Sequence, residues 1–283
     1  MSLAQRAEDL GFDSIWVSDH VILPREVESF YPYAADGVPT FTPDQPYYDP
    51  IATLNFLAGC TEKLRLGTHV LILPYRNPVV TAKMLATLDV LSGGRLTLGI
   101  GVGWNTVEYE ALGEDFHNRG ARSAEQIEVM RALWTQDVVD FHGDWHNINH
   151  AGLNPLPVQR PIPIWLGAGS SQSPTPPDTV LKRVARLADG WCPNFNPDEA
   201  GRAIVERTHS FMKEMGRDPT ALGLDGRLRT GGRQPEDWLD EAKAWQDLGA
   251  NYLSIENRQS GLTTAGEHIE AMRTFKETIG FDF

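Results

Sequence analysis

An α/β barrel is the fold class this sequence predicts, and three observations carry it. Helices that end near a glycine and run straight into a strand recur along the chain: Ala4–Gly11 into Ser14–Asp19, Leu91–Gly94 into Leu98, Leu187–Gly190 into Pro193, Trp238–Gly249 into Tyr252–Asn257, and more loosely Leu57–Leu66. Each glycine suits the left-handed position that ends a helix before a short loop. The second observation is the run Leu64–Pro74, almost wholly apolar, as expected of a strand buried on both faces of a parallel sheet. Parallel strands joined through helices take right-handed crossovers, and many such units in one chain favour a closed barrel over an open sheet. The third is length: 283 residues suit one barrel domain over 1–283, and no shift in composition marks a boundary within it.

Strands are predicted at 14–19, 64–74, 95–103, 162–168, 190–195, 223–230 and 251–257. Between the first two lies Val21–Asp49, rich in Pro, Tyr and Asp and without helical or strand period. A loop of that length after a strand ending at Asp19-His20 is expected to serve function at the C-terminal face. The helix Pro78–Leu91 carries apolar residues at Val79, Ala82, Leu85, Ala86 and Leu88, and Gly93-Gly94 ends it. In Arg95–Gly103, Gly99, Gly101 and Gly103 share one face while Leu98, Ile100 and Val102 share the other. A strand without side chains on one face is expected to receive something large there, here a flat ligand. The spacing is not G-x-G-x-x-G, and the glycines lie in a strand, so a dinucleotide fingerprint is excluded. Ala121–Gln136 is an amphipathic helix, Val138–Pro163 a hairpin or excursion, and SQSPTPP at Ser171–Pro177 delays the helix that begins near Asp178. Helices over Asp198–Met215 and Gly266–Thr278 complete the chain.

A formal charge of −13 argues against nucleic acid or a membrane surface as partner. It also requires any bound phosphate to be held by local donors. Cys60 and Cys192, far apart, suggest no disulfide framework, and there is no signal peptide or bilayer-length apolar run. A reduced cytoplasmic protein is expected.

Several residue groups point to chemistry. Asp19-His20 ends a strand at the catalytic face, where a carboxylate beside an imidazole fixes its tautomer and supports proton transfer; the alternative is a pair that only caps a loop. Gly167-Ala168-Gly169-Ser170 leads from a strand towards a helix, and exposed backbone N–H groups there make a phosphate cradle, unless it is a plain βα loop. Asp178 would compete for that helix start, with Lys182 and Arg183 to compensate. His142, His146 and His150 are four apart, but Gly143, Asp144, Asn147 and Asn149 disfavour a helix, so a solvated hairpin is expected and no metal site. No nucleophile elbow, Walker sequence or C-x-x-C is present, which removes hydrolase, phosphotransferase and thiol-redox readings.

The stretch GTHVLILPYRNPVVTAKMLATLDVLSGGRLTLGIGVGW, with DSIWVSDH at 13–20 and PIWLGAG at 163–169, resembles the luciferase-like monooxygenase superfamily, most closely its branch that uses the deazaflavin coenzyme F-420. The resemblance implies a TIM (β/α)8-type barrel lacking its first strand here, so that a gap opens between strands 14–19 and 251–257. It implies His20 near the reactive ring edge, with Asp19 beside it. It places a nonprolyl cis peptide at His69–Val70 in Thr68-His69-Val70, against the cofactor ring, together with Val102, Gly103 and Gly167, Ala168, Gly169, Ser170. Trp104 and Glu108 are assigned to the substrate, whose identity depends on loop 21–49, Glu108 and Glu256. A homodimer acting on a small molecule follows from the same likeness.

Three functions are consistent with these residues. The first is hydride transfer between F-420 and a small organic substrate, favoured by Gly103-Trp104 and by TLD-x-LSGGR. The second is an FMN-dependent monooxygenase of the same superfamily. The third is a non-catalytic protein that binds a flavin-like molecule.

Overall fold

The computed structural model describes residues 3–25, 31–34, 36–39, 41–170, 175–257 and 260–280. In chain order the elements are α1 (Leu3–Asp9), β1 (Ser14–Val17), α2 (Pro50–Ala58), β2 (Arg65–Thr68), β3 (Leu71–Ile72), α3 (Pro78–Ser92), β4 (Leu96–Gly101), α4 (Thr106–Ala111), α5 (Arg119–Thr135), β5 (Val139–His142), β6 (Asn147–Ala151), β7 (Ile164–Ala168), α6 (Asp178–Leu187), β8 (Gly190–Pro193), α7 (Glu199–Glu214), β9 (Gly223–Arg229), α8 (Pro235–Asp247), β10 (Tyr252–Glu256) and α9 (Ala265–Ile279). They group into two compact units, Ser14–Trp165 and Met1–Asp13 with Leu166–Phe283.

In the unit Ser14–Trp165, β1 pairs in parallel with β2, and β2 and β3 both pair in parallel with β4. The amide of Leu98 donates to Pro163, which leads into β7. The strand predicted over 64–74 is broken. Its middle is the cis peptide His69–Val70, at the bond the family likeness indicates, and Leu73–Tyr75 is a turn of 3-10 helix. Helix α3 starts at Pro78 behind Asn77, whose side chain accepts from Val79 and Val80 N–H, and stops at Gly93 with φ +70°. Leu85, Leu88, Met130, Leu133 and Trp134 are buried on α3 and α5. Each such side chain contributes about 1.5–3 kcal/mol of apolar burial.

The TLD-x-LSGGR turn is scaffold. Asp89, fully buried, accepts from the backbone and side chain of Gln159, which fixes the excursion before β7. The Arg95 guanidinium donates to Ala58 O, Thr61 O, Thr61 Oγ1, Leu64 O and Ser92 O, tying the end of α2 to the start of β2 and β4. The motif therefore has a structural role in joining this unit.

The glycine face of β4 is likewise explained by packing, which corrects the expectation of a flat ligand lying on it. A Cβ at Gly99 would stand 1.9 Å from Thr68 O, and one at Gly101 would stand 2.3 Å from Val70 Cγ2. The large object against the strand is the neighbouring segment, the Thr68 carbonyl at Gly99 and the Val70 side chain at Gly101. Gly67 yields its space in the same way to the ring of Trp16.

In the other unit, β8 pairs in parallel with β9 and β9 with β10, while Asn194 N–H donates to Ala168 O beside the end of β7. Leu228, Trp238, Ala242, Phe275 and Ile279 form a core, joined by Phe12. Among the helix-ending glycines, Gly11, Gly93 and Gly249 are left-handed as predicted, whereas Gly59 (φ −77°) and Gly190 are not: α2 ends in an ordinary helical turn, and α6 ends at Ala188 in extended backbone with Gly190 already in β8. Helix α4 was not foreseen because its six residues show no full period. Within the described residues β1 pairs only with β2 and β10 only with β9. No described helix is long and apolar enough to cross a membrane.

Candidate active site

The residues after β1 face alternately, and this separates the two predicted partners. Asp19, 3% exposed, turns inward: its carboxylate accepts from Arg76 Nη2 (2.9 Å), Arg76 Nε (3.3 Å) and Ile72 N–H (3.0 Å). Burial pushes its pKa above the usual range, against the lowering pull of Arg76. Arg76 also reaches Asp49, the N-cap of α2, at 3.2 Å. Asp19 thus fastens the end of β1 to the turn before α3 and to the start of α2. No hydrogen bond joins it to His20 among the described residues, so sequence adjacency was a poor guide to partnership here.

His20 is held instead by Glu108, whose Oε2 lies 2.9 Å from His20 Nδ1. Glu108 sits on α4, whose first turn is capped by Asn105 Oδ1. It is fully buried, and both oxygens are engaged by the chain: Oε1 by Val21 N–H (2.7 Å) and Ile22 N–H (3.4 Å), Oε2 by the Tyr75 hydroxyl (2.9 Å) as well as His20. Burial pushes the Glu108 pKa up, but hydrogen bonds from His20, Val21 and Tyr75 outweigh it and hold the carboxyl below its usual range. Burial, reinforced by the Glu108 charge, drives the Tyr75 hydroxyl far upward, so it stays a donor. Glu108, expected against the substrate, is placed behind His20 with no oxygen left to offer.

Aromatic rings surround the rest of His20. Phe41, Tyr47 and Trp104 approach its ring with centroids 5.2, 5.3 and 6.0 Å away. Tyr31 packs edge-on against Trp104 at 5.2 Å, and the Tyr47 hydroxyl donates to Ser18 Oγ at 2.6 Å. Phe41, Tyr47 and Tyr31 belong to the loop 21–49 and were missed as individuals. The signal was there, in a loop rich in aromatic residues. Arg76 and Tyr75 were also missed, although PYRNP stands inside the motif-bearing stretch.

Thr68 is buried and its hydroxyl is engaged with Gly99 O at 2.7 Å. Val102 O accepts from Tyr109, and Gly103, at φ +70°, turns the chain towards Trp104 where a Cβ would press on Ile72 and Tyr75. Within 66–75 every residue is buried except His69 and Val70. A bulge whose Val70 side chain is left partly open in an otherwise closed strand fits a flat ring laid against it. That is the local test of a flavin-like cofactor, and these residues meet it.

Gly167 and Ala168 end β7 and Gly169-Ser170 leave it, fixed by Asn194, which donates from its backbone to Ala168 O (2.9 Å) and from Nδ2 to Gly169 O (3.4 Å). Gly169 adopts φ +93°. Asn194 Oδ1 in turn accepts from Arg227. The insertion predicted at 171–177 falls largely outside the described residues. Helix α6 has Pro177 at its N-cap and no side-chain cap. Asp178 is turned to Arg207 in a bidentate pair, and Lys182 lies over the Phe211 ring. His142, His146 and His150 lie on the hairpin β5–β6 with separate partners: Asn147, Glu125 and Asp140.

Comparison with known proteins places these features in a family. A Mycobacterium tuberculosis protein of uncharacterized function is 35% identical over 272 residues, 95% of this chain and 90% of that one. The F-420-dependent glucose-6-phosphate dehydrogenase of Amycolatopsis mediterranei is 34% identical over 192 residues, and the FMNH(2)-dependent dimethylsulfone monooxygenase of Pseudomonas putida 33% over 162. The matches cover 66% and 56% of this chain but only 50% and 43% of those two enzymes. Among solved structures, a monooxygenase from Streptomyces bottropensis superposes with TM-score 0.75 at 20% identity, covering 98% of this chain and 90% of that one. The coenzyme F-420-dependent tetrahydromethanopterin reductase of Methanopyrus kandleri gives 0.73 at 18% identity, with 98% and 93% covered. The fold class is α/β of the TIM (β/α)8 type. Residues 1–278 match the luciferase-like monooxygenase pattern, and the chain belongs to that family of oxidoreductases and monooxygenases.

Proposed function

We propose that the chain is a two-electron oxidoreductase that moves a hydride between coenzyme F-420 and a small carbonyl, alcohol or activated alkene. One observation carries the reading: an imidazole backed by a buried carboxylate opens onto an aromatic surface, which is what alcohol–carbonyl interconversion needs at the substrate oxygen. When bound, the deazaflavin supplies or accepts the hydride. His20 then gives or takes the proton at the substrate oxygen, Phe41, Tyr47 and Trp104 exclude water, and Val70 supports the ring. The backbone of Gly169 and Ser170 is assigned to a phosphate. An FMN-dependent monooxygenase is the second reading, supported by the dimethylsulfone monooxygenase among the relatives.

Titration of the purified protein with F-420 and with FMN tests the ordering. Micromolar F-420 binding with weaker FMN binding is expected, and the reverse order would put the second reading first. His20→Ala should lower turnover by about 10²–10⁴-fold while leaving cofactor affinity nearly unchanged. Unchanged turnover would remove His20 from the chemistry.

The same reading includes one barrel domain, since structural likeness covers 98% of the chain. It includes a homodimer, supported by exposed Val79, Val80, Met84, Val90 and Leu91 on α3 with Phe56 on α2. It includes a reducing, cytoplasmic setting, supported by Cys60 and Cys192, which stand as thiols and not as a disulfide.

A further inference from the structure

We infer that Glu108 is a positioning residue that holds His20 in the Nδ1–H tautomer, leaving Nε2 as the nitrogen that accepts a proton. The inference rests on the reading of His20 as the proton-handling group and adds the device that sets its chemistry.

An ionised carboxylate only accepts hydrogen bonds. Oε2 of Glu108 faces His20 Nδ1 at 2.9 Å and the Tyr75 hydroxyl at 2.9 Å, so both must donate. Oε1 is pinned independently by Val21 and Ile22 N–H, the two residues that follow His20 in the chain. One carboxylate therefore fixes the backbone that carries the imidazole and the proton on its ring. The second nitrogen of a neutral ring must then hold the lone pair. No other carboxylate competes for His20 among the described residues: Asp19 is turned to Arg76 and Ile72, and the titratable group facing the ring from loop 21–49, Tyr47, gives its proton to Ser18.

Glu108→Gln makes a specific prediction because Oε1 has no freedom. Val21 N–H must still be met by the amide oxygen, so the amide nitrogen takes the place of Oε2 and points two hydrogens at Tyr75 and at His20 Nδ1. Nδ1 must then accept, and the ring proton moves to Nε2. The variant thus reverses the tautomer with almost no change of shape.

The test is two-bond ¹H–¹⁵N correlation on protein labelled in histidine, with the His20 signals identified by their loss in His20→Ala, recorded with rising pH until the spectrum shows a neutral ring. The wild type should give a protonated Nδ1 and a bare Nε2. Glu108→Gln should give the reverse, and Tyr75→Phe, which removes the other donor to Oε2, should keep the wild-type pattern. A wild-type spectrum with the proton on Nε2 would overturn the inference by itself, even if Glu108→Gln failed to fold. So would a folded Glu108→Gln that kept the wild-type pattern. Turnover separates this from the reading beneath it. With the spectra as expected, a fully active His20→Ala would refute His20 as the proton carrier while the tautomer assignment stood. With His20→Ala inactive, Glu108→Gln should lose about 10²–10⁴-fold in turnover without weakening cofactor binding.

Discussion

Asp225 offers a test of the physics of the second unit that is independent of cofactor or substrate. It lies on β9, 6% exposed, with Ser254 Oγ donating to its Oδ2 at 2.8 Å. Burial is the main influence on it and raises its pKa from 3.8 to about 6, against the lowering effects of Ser254 and Arg227. The shift is about two units, worth about 3 kcal/mol at ~1.4 kcal/mol per unit. The sign follows from proton binding. The folded chain holds this proton more tightly than the unfolded chain, so the stabilisation is complete below about pH 4 and is lost as pH rises through about 6. Asp225→Asn keeps an acceptor for Ser254 and cannot ionise. It should therefore be more stable relative to wild type at pH 8 than at pH 4 by about 3 kcal/mol, read from paired urea unfolding curves. Any pH-independent cost of the amide cancels in that difference, as do titrating groups that do not interact with Asp225. An equal effect of the substitution at both pH values would refute the reasoning, because it would mean that the carboxylate is ionised at no cost in the folded state.

Two further outcomes follow from packing and hydrogen bonding. Gly99→Ala, whose methyl would meet the Thr68 carbonyl at 1.9 Å, should cost about 3 kcal/mol or more in chemical unfolding, whereas Gly101→Ala meets a rotatable Val70 side chain and should cost about 1–2 kcal/mol; equal costs would show that the backbone, not the side chain, gives way in both. Glu125 gathers the N–H groups of Asp144, Trp145 and His146 and the His146 ring, so Glu125→Gln should speed amide exchange at 144–146 while leaving α3 protected, and unchanged exchange there would show that the hairpin holds itself.

How far the chain could be read without coordinates depended on the range of the interactions concerned. Strand positions and helix ends at Gly11, Gly93 and Gly249 were legible because apolar runs and glycine punctuation are local signals, whereas the place of the cis bond came from the family resemblance alone. The uninterrupted strand over 64–74 was misread for the same reason: its composition is uniform, and nothing in it marks the break at His69–Val70. Five-fold engagement of the Arg95 side chain and the pairing of Asp89 with Gln159 lie beyond any local pattern, so the structural role of that motif was not legible.

The same division runs through the site. The sequence by itself determined the fold class, the family and the presence of His20 at the end of a strand, since each is written in residues close together or in the chain's overall pattern. Which carboxylate serves His20 was decided only by tertiary structure. Asp19 is one residue away but points to the other side of an extended segment, where Arg76 holds it. Glu108 is 88 residues away but is carried to the ring by the turn at Gly103 and the short helix α4. Adjacency along an extended chain alternates direction, and only folding brings an acceptor within 2.9 Å of the nitrogen that needs it.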